Sequence, residues 1–362
     1  MQLSLLPDRS VMYEALVKKD SSFEGVFFAA IKTTGIFCRP TCTARKPKEE
    51  NVEYFGSTQE ALNHGYRPCK VCEPMTQKGE TPIWLEELLA EIKSDPTQKV
   101  NDFELKKRGL DPTRVRRWFK KNHGMTFQAY LRSLRINNAF GQIREGDPVI
   151  KSAYENGFES LSAFVDSFKN STGFNPSESK NKNIISVTRI PTPLGPMLAG
   201  ATHQGICLLE FTDRRMLETQ ISRLRKNLKA ELLPGESPFF EPLKKELEEY
   251  FDGKRKEFSI PLVIPGSEFQ QKVWQVLQEI PYGKTRSYKD QAIAVGNLKA
   301  IRAVATANGD NRMAILIPCH RVIGSDGQMT GYGGGIWRKQ WMIEMERKNS
   351  QIGNGPHKSM TI

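Results

Sequence analysis

A chain of 362 residues is too long for one comfortable core, and its length suggests two to four domains. The formal charge of +12 and a pI near 9.3 point to a polyanionic partner, most simply nucleic acid. Nothing in Met1–Asp8 resembles a signal peptide and no apolar run reaches spanning length. A cytoplasmic location without a membrane partner is therefore expected, and the six cysteines read as reduced thiols for metal binding or chemistry.

Four of those cysteines lie between Phe23 and Pro74, as Cys38-Arg39-Pro40-Thr41-Cys42 and Cys69-Lys70-Val71-Cys72. Two close thiolate pairs on a chain that can fold back supply the tetrahedral all-sulfur shell that zinc prefers. His64 is nearby, but four sulfurs complete the shell, and it reads as a surface residue. So small a unit depends on its metal for its fold. Phe27–Ile31 reads as a strand and Thr33-Thr34-Gly35 as a turn. The density of Arg39, Arg45, Lys46, Lys48, Arg67 and Lys70 favours phosphate contact over a merely solvated face.

The stretch from Glu73 to Pro82 reads as a linker. Beyond it Trp84, Leu85, Leu88, Leu89 and Ile92 recur at helical spacing and open an all-α region. Two similar units follow. In the first, Val100–Lys107 gives a short helix, Gly109-Leu110-Asp111-Pro112 a turn and Pro112–Asn122 a second helix. Val115, Trp118 and Phe119 form its inner face, with Arg114, Arg116, Arg117, Lys120 and Lys121 outside, as in a DNA-reading helix-turn-helix. A helix near Thr126–Arg144 leads to the second unit, Val149–Asn156, Gly157-Phe158-Glu159 and Ser160–Asn170. There Ser160 caps the second helix while Leu161, Phe164, Val165 and Phe168 face inward. Few basic residues lie on that helix, and Asp166 is among its exposed positions, so it offers phosphate less charge than the first unit does.

Asn175–Asn183 reads as a second linker, after which strands appear at Ile185–Arg189, Met197–Thr202 and Ile206–Phe211. The last two are joined as a hairpin through His203-Gln204-Gly205, and Cys207 is a core residue. Helices near Met216–Asn227 and Pro242–Phe251 complete a small α/β unit without evident chemistry. From Ser267 a helix marked by Phe269, Val273, Val276, Leu277 and Ile280 ends at Pro281-Tyr282-Gly283. Tyr288–Val295, a turn at Gly296-Asn297, and Lys299–Ala307 make a third helix-turn-helix. Its second helix is small on the outside, with Ala300, Ala303, Ala305 and Ala307 beside Arg302, which suits a shallow minor groove and a lone arginine replacing an extruded base.

The run Ala314–Ile317 then meets Pro318-Cys319-His320-Arg321-Val322. Proline ends a strand, so Cys319 is expected where a strand stops, and His320 offers a base for making the thiolate nucleophile.

These motifs together resemble the Ada family of bifunctional alkylation-response regulators and DNA methyltransferases, over essentially the whole chain up to Lys348. The resemblance rests on Thr33-Thr34-Gly35-Ile36-Phe37-Cys38-Arg39-Pro40 with Cys69-Lys70-Val71-Cys72, on paired AraC-type helix-turn-helix units, and on Pro318-Cys319-His320-Arg321-Val322. It implies a multidomain α/β and all-α architecture. A zinc-binding phosphotriester-acceptor domain spans 1–76 and the double helix-turn-helix domain 80–178. A ribonuclease-H-like α/β subdomain spans 184–262, a winged-helix-like methyltransferase domain 266–349 and a tail 350–362.

By this resemblance Cys319 accepts an alkyl group from O6 of guanine or O4 of thymine in one irreversible turnover. His320 takes the thiol proton through a water, Glu346 orients His320, and Asn311 holds the loop before Cys319. Arg302 enters the stack, Tyr288 donates toward guanine N3 or the flipping phosphate, and Tyr332 helps bind the base. Arg45, Arg114, Arg116 and Arg117 are expected on DNA.

One zinc ion on Cys38, Cys42, Cys69 and Cys72 is implied, with no organic cofactor, and Cys38 takes a methyl from a backbone phosphotriester. Spacing alone does not choose Cys38 among the four. Methylating one thiolate removes a negative charge, and a unit charge about 7 Å from a phosphate is worth ~0.6 kcal/mol in water and ~2.4 kcal/mol at an effective dielectric near 20. Self-methylation thus becomes promoter binding, with RNA polymerase as a further partner, the protein acting as a monomer on the nucleoid. The triplet Gly333-Gly334-Gly335 after Tyr332 reads as a loose loop. The alternatives are a zinc-containing regulator whose Cys319 domain has lost chemistry, and a cysteine hydrolase for which no oxyanion hole is evident.

Overall fold

The computed structural model describes residues 6–76 and 79–352. The tail expected after 349 therefore lies largely outside the described residues, as do the first five positions and part of the first linker.

The N-terminal unit opens with helix Arg9–Lys18 and builds a four-stranded sheet in the order Val52–Phe55, Phe28–Ile31, Ile36–Cys38, Arg67–Pro68. Phe28–Ile31 pairs antiparallel with both neighbours, and the tight turn to Ile36 passes through Gly35 at φ +65, a left-handed value that glycine accepts without steric cost. Phe27, Ala29 and Val52 face a core with Leu16, while Phe28, Ala30 and Phe37 face another. The alternation along one strand supplies both.

The helical region contains the expected pairs, Asp102–Lys107 with Pro112–His123 and Val149–Glu155 with Leu161–Thr172, bridged by Phe127–Glu145. Asp111 caps its helix through the Thr113 amide, with Pro112 at the first helical position, and Ser160 caps through Ala163. Val115, Phe119, Phe164 and Phe168 are fully buried. Leu161 is not inward-facing, however: it is 37% exposed. It shares a helical face with Phe164 and Phe168, but the first turn projects beyond the core that they reach.

The expected linker Asn175–Asn183 is also packed structure. Pro176–Asn181 forms a 3-10 turn with Pro176 and Ser179 buried, and Phe140, Phe168 and Phe174 share a core with Ile184 and Leu233 of the following sheet. Polar composition concealed this because the turn buries its proline and one serine while its lysines point outward.

That sheet has the order Gly205–Phe211, Met197–Thr202, Asn183–Ile190, Ala230–Pro234. The first three strands are antiparallel, and Ala230–Pro234, absent from the sequence reading, joins in parallel after the crossover helix Leu217–Leu228. Its opposite face shares one large core with the last unit, in which Phe211, Leu243 and Leu247 meet Trp274, Val304 and Met342.

The last unit packs helices Glu268–Gln278, Tyr288–Ala294, Ile301–Gly309 and Ile336–Ile352 around a short parallel pair, Arg286–Ser287 with Val322–Ile323. Ala314–Ile317 is buried but is not a strand, since Ile315 adopts φ 75 and the run is coiled. Cys319 thus begins a 3-10 turn, Cys319–Arg321, ahead of strand Val322–Ile323, and does not end a strand. Burial on every side, not pairing, makes that run apolar.

Candidate active site and metal centre

Cys319 is partly buried, and its sulfur meets the side chain of Asn311. Asn311 Nδ2 donates to Cys319 Sγ at 3.1 Å and to Ile317 O at 2.8 Å, while its Oδ1 accepts from Met313 N at 3.0 Å. One buried amide therefore closes the loop Asn311–Cys319 on itself and points a donor at the sulfur. Burial raises the Cys319 thiol above its ordinary value, and the Asn311 donor offsets this only in part.

Behind the cysteine lies a carboxylate with an unusual number of donors. Glu346 accepts from His320 Nε2 at 2.8 Å, Tyr250 Oη at 2.8 Å, Arg321 Nε at 2.9 Å and Nη2 at 3.0 Å, and Gly283 N at 3.1 Å. His320 and Glu346 are both fully buried. Burial acts to raise the Glu346 carboxyl, but His320 and Arg321 pull it down to about 2. Burial lowers His320, so a neutral imidazole donates its Nε2–H as a hydrogen bond to the Glu346 carboxylate. Its Nδ1 is then a lone pair, buried and without a hydrogen-bond partner in the structure. The arrangement fixes a tautomer and leaves a base available. Arg321 and Tyr250 escaped the sequence reading. Arg321 stood inside the recognised motif, whereas Tyr250 sits in another unit and carries no local signal.

Tyr332 and Tyr288 face the same site. The Tyr332 hydroxyl is buried without a partner, and burial first, then the nearby Cys319, raises it far above the ordinary tyrosine range. Tyr288 is half-buried and raised by the same two causes in the same order. The glycines after Tyr332 are not loose. A Cβ on Gly333 would lie 2.6 Å from Arg214, and one on Gly334 would lie 2.7 Å from Phe211, so close packing requires their lack of a side chain.

On helix Ile301–Gly309, Arg302, Ala303 and Ala305 are exposed, as expected. Ala307 instead faces the core at 2% exposure and Ala300 packs partly against it. Ala307 lies close to Trp274, whose Nε1 donates to Ala307 O at 2.8 Å.

In the N-terminal unit the sulfurs of Cys38, Cys42, Cys69 and Cys72 lie within 4.8 Å of one another, with Cys42 and Cys69 at 4.0 Å. Zinc–sulfur bonds of about 2.3 Å in a tetrahedron require sulfurs roughly 3.8 Å apart, so the four fit zinc. Burial holds Cys42 up to about 11, and its hydrogen bond with Cys72 pushes Cys38 much higher, so four thiolates need a cation to coexist. Cys72 is the most exposed of the four, and the geometry does not single out Cys38. Arg39 is not available to phosphate. It is buried, paired with Glu24, and donates to the carbonyl oxygens of Cys72 and Glu73. A guanidinium inside the metal loop answers several carbonyls at once, a role that its position beside Cys38 disguised.

Arg45 and Arg117 are exposed, His64 likewise. Arg114 lies over the Trp84 ring at 4.2 Å, and Arg116 pairs with Asp102 at 2.8 Å on an exposed surface.

A sulfur-lined metal centre, paired helix-turn-helix motifs and a thiol backed by a buried imidazole–carboxylate–guanidinium network define a multidomain DNA methyltransferase with a regulatory half. Four family models match in succession. They are the metal binding domain of Ada at 11–75, a helix-turn-helix domain at 106–182, and the ribonuclease-like and DNA binding domains of 6-O-methylguanine DNA methyltransferase at 185–264 and 268–348. The bifunctional transcriptional activator/DNA repair enzyme Ada of Escherichia coli K12 is 31% identical over 94% of this chain and 96% of its own. The regulatory protein ada of Salmonella typhimurium is 30% identical over 92% and 95%. A methylated-DNA–protein-cysteine methyltransferase of Methanosarcina barkeri is 40% identical over 44% of this chain and 96% of its own. The chain belongs to the Ada family of bifunctional transcriptional activators and DNA repair enzymes.

Proposed function

We propose that the chain repairs alkylated DNA by taking methyl groups onto its own cysteines and becomes a transcriptional activator as it does so. The observation that carries this reading is the closed set Asn311–Cys319 and His320–Glu346–Arg321, which readies one sulfur and one base without any organic group. With O6-methylguanine extruded beside Tyr332, Cys319 Sγ attacks the methyl carbon in line with the C–O bond. The sulfur–carbon bond forms as the carbon–oxygen bond breaks, and the electron pair leaves on the guanine. The thiol proton passes to His320 Nδ1, through a water, and Tyr288 donates toward N3 of the departing base. The imidazolium that results is stabilised by Glu346, in a low-dielectric setting where such a charge needs a partner. The thioether formed at Cys319 is a stable carbon–sulfur bond without a leaving group, so each molecule acts once.

O4-methylthymine offers the same bond and is taken as a second substrate. Arg302, on the exposed face of a helix of small residues, fills the space that the base vacates.

In the N-terminal unit, Cys38, Cys42, Cys69 and Cys72 hold zinc, which keeps sulfur in the thiolate state at neutral pH. Cys38 accepts a methyl from a backbone phosphotriester; its choice rests on family membership. The loss of one negative charge strengthens promoter binding by the unit together with Arg45, Arg114, Arg116 and Arg117. The domain limits proposed are those read from sequence, 1–76, 80–178, 184–262 and 266–349. The protein acts as a monomer, in the cytoplasm and on the nucleoid, and engages RNA polymerase once on its promoter. Among the described residues no helix is long and apolar enough to cross a membrane.

A Cys319→Ala protein tests the reading. It should lose removal of methyl from O6-methylguanine while retaining one zinc per chain, whereas absence of repair by the unaltered protein would favour a DNA-binding regulator without this chemistry.

A further inference from the structure

The glycine loop beside Cys319 and the first turn of helix Ile336–Ile352 lie between two units. Arg338, 1% exposed, binds the loop through Gly334 O at 2.9 Å and the α/β subdomain through Leu194 O and Asp213, both at 2.8 Å. The same guanidinium donates to Ser21 O of the N-terminal unit at 2.9 Å. Its neighbour Trp337 leaves the last unit to join the N-terminal core, with its ring 5.7 Å from that of Phe23. Gly335 sits at φ +99, and a Cβ there would lie 2.7 Å from Ser22 Cβ, so Ser22 packs where a side chain at 335 would stand.

The other end of this short N-terminal stretch reaches the metal loop. Buried Glu24 pairs with Arg39 and accepts from Thr41 Oγ1 at 2.8 Å, both within the loop between Cys38 and Cys42. Four consecutive residues thus touch the loop that carries Tyr332 on one side and the loop that carries Cys38 on the other.

We propose that Ser21–Glu24 is an intramolecular clamp: it docks the zinc unit on the Tyr332-bearing loop and holds that loop in its base-binding arrangement. Glycine at 333, 334 and 335 lets the loop pack closely but gives it no side chain of its own to hold it in place. Its order therefore comes from what lies against it: Arg214 and Phe211 of the α/β subdomain on one side, and Arg338 with the N-terminal unit on the other. The residues concerned act through the loop and not on the methyl group, so they are positioning residues. The inference rests on reading Cys319 as the methyl acceptor.

The test uses the full chain with zinc, as Trp337→Ala and, separately, Ser22→Gln, a polar wedge at the docking surface. Hydrogen exchange of amides 331–335, zinc content, DNA affinity and the single-turnover rate of methyl transfer to Cys319 at saturating DNA are measured together. Faster loop exchange by about tenfold is expected in each variant. Transfer should slow several-fold, with zinc retained and DNA affinity little changed. A variant that loses zinc has lost the unit itself, and the other then decides. Wild-type exchange and wild-type transfer in both variants would overturn the clamp. Absence of methyl transfer in the unaltered protein would instead defeat the reading of Cys319, and loop exchange alone would then decide the clamp.

Discussion

At Cys319, burial and the Asn311 donor pull the thiol in opposite directions, and burial prevails. The resting group is therefore a thiol that needs its base at the moment of transfer. Iodoacetamide labelling of the Cys319 peptide in DNA-free protein should still be accelerating above pH 9; a plateau near pH 8 would show an already activated thiolate. Glu346 provides a second, independent check. Its carboxyl lies near 2 in the folded chain against about 4.3 when unfolded, so its ionisation stabilises the fold above about 4.3 and that contribution fades as pH falls toward 2. Glu346→Gln removes the charge that answers Arg321, leaving a buried guanidinium unpaired at a cost of about 3–5 kcal/mol. Urea unfolding should register that loss near neutrality and a flatter acid response than wild type between pH 4.5 and 2. Of these residues, Cys319, His320, Asn311 and Glu346 were legible from a short motif and the family resemblance. Tyr250 and the partnership of Arg321 were not, because only tertiary packing brings them to the carboxylate.

Among the elements, the helix Ile301–Gly309 shows what periodicity can and cannot supply. Its exposed alanines and Arg302 followed from composition, yet Ala307 faces the core, close to Trp274. Arg302 is exposed, so Arg302→Ala should leave stability within about 0.5 kcal/mol of wild type. Repair of O6-methylguanine in a duplex should slow markedly while repair in a single strand, where no stack must be refilled, changes little. Equal loss on both substrates would argue against insertion. The helix-turn-helix pairs were readable because caps and glycine turns are local signals, as Asp111, Ser160, Gly109 and Gly157 show. The coiled run before Cys319 was misread as a strand because an apolar segment buried on all sides has no period to reveal its shape.

Across the whole molecule, composition correctly suggested several units but overstated their separation. The stretch Asn175–Asn183 is packed, Phe140 and Phe174 share a core with Leu233, and Trp337 lies in the N-terminal core. Polar residues on an outer surface look like a linker when the buried partners are far away in sequence. Strong chelation should unfold the zinc unit, with exchange protection lost across its sheet, while the large core around Trp274 and Met342 stays protected. Loss of protection throughout would mean that the zinc unit supports the entire fold. The most direct test of sacrificial methyl transfer is peptide mass spectrometry after incubation with DNA carrying both O6-methylguanine and methylphosphotriesters. One methyl on the Cys319 peptide and one on the Cys38 peptide are expected, and unmodified peptides after the lesions have been exposed to excess protein would contradict it.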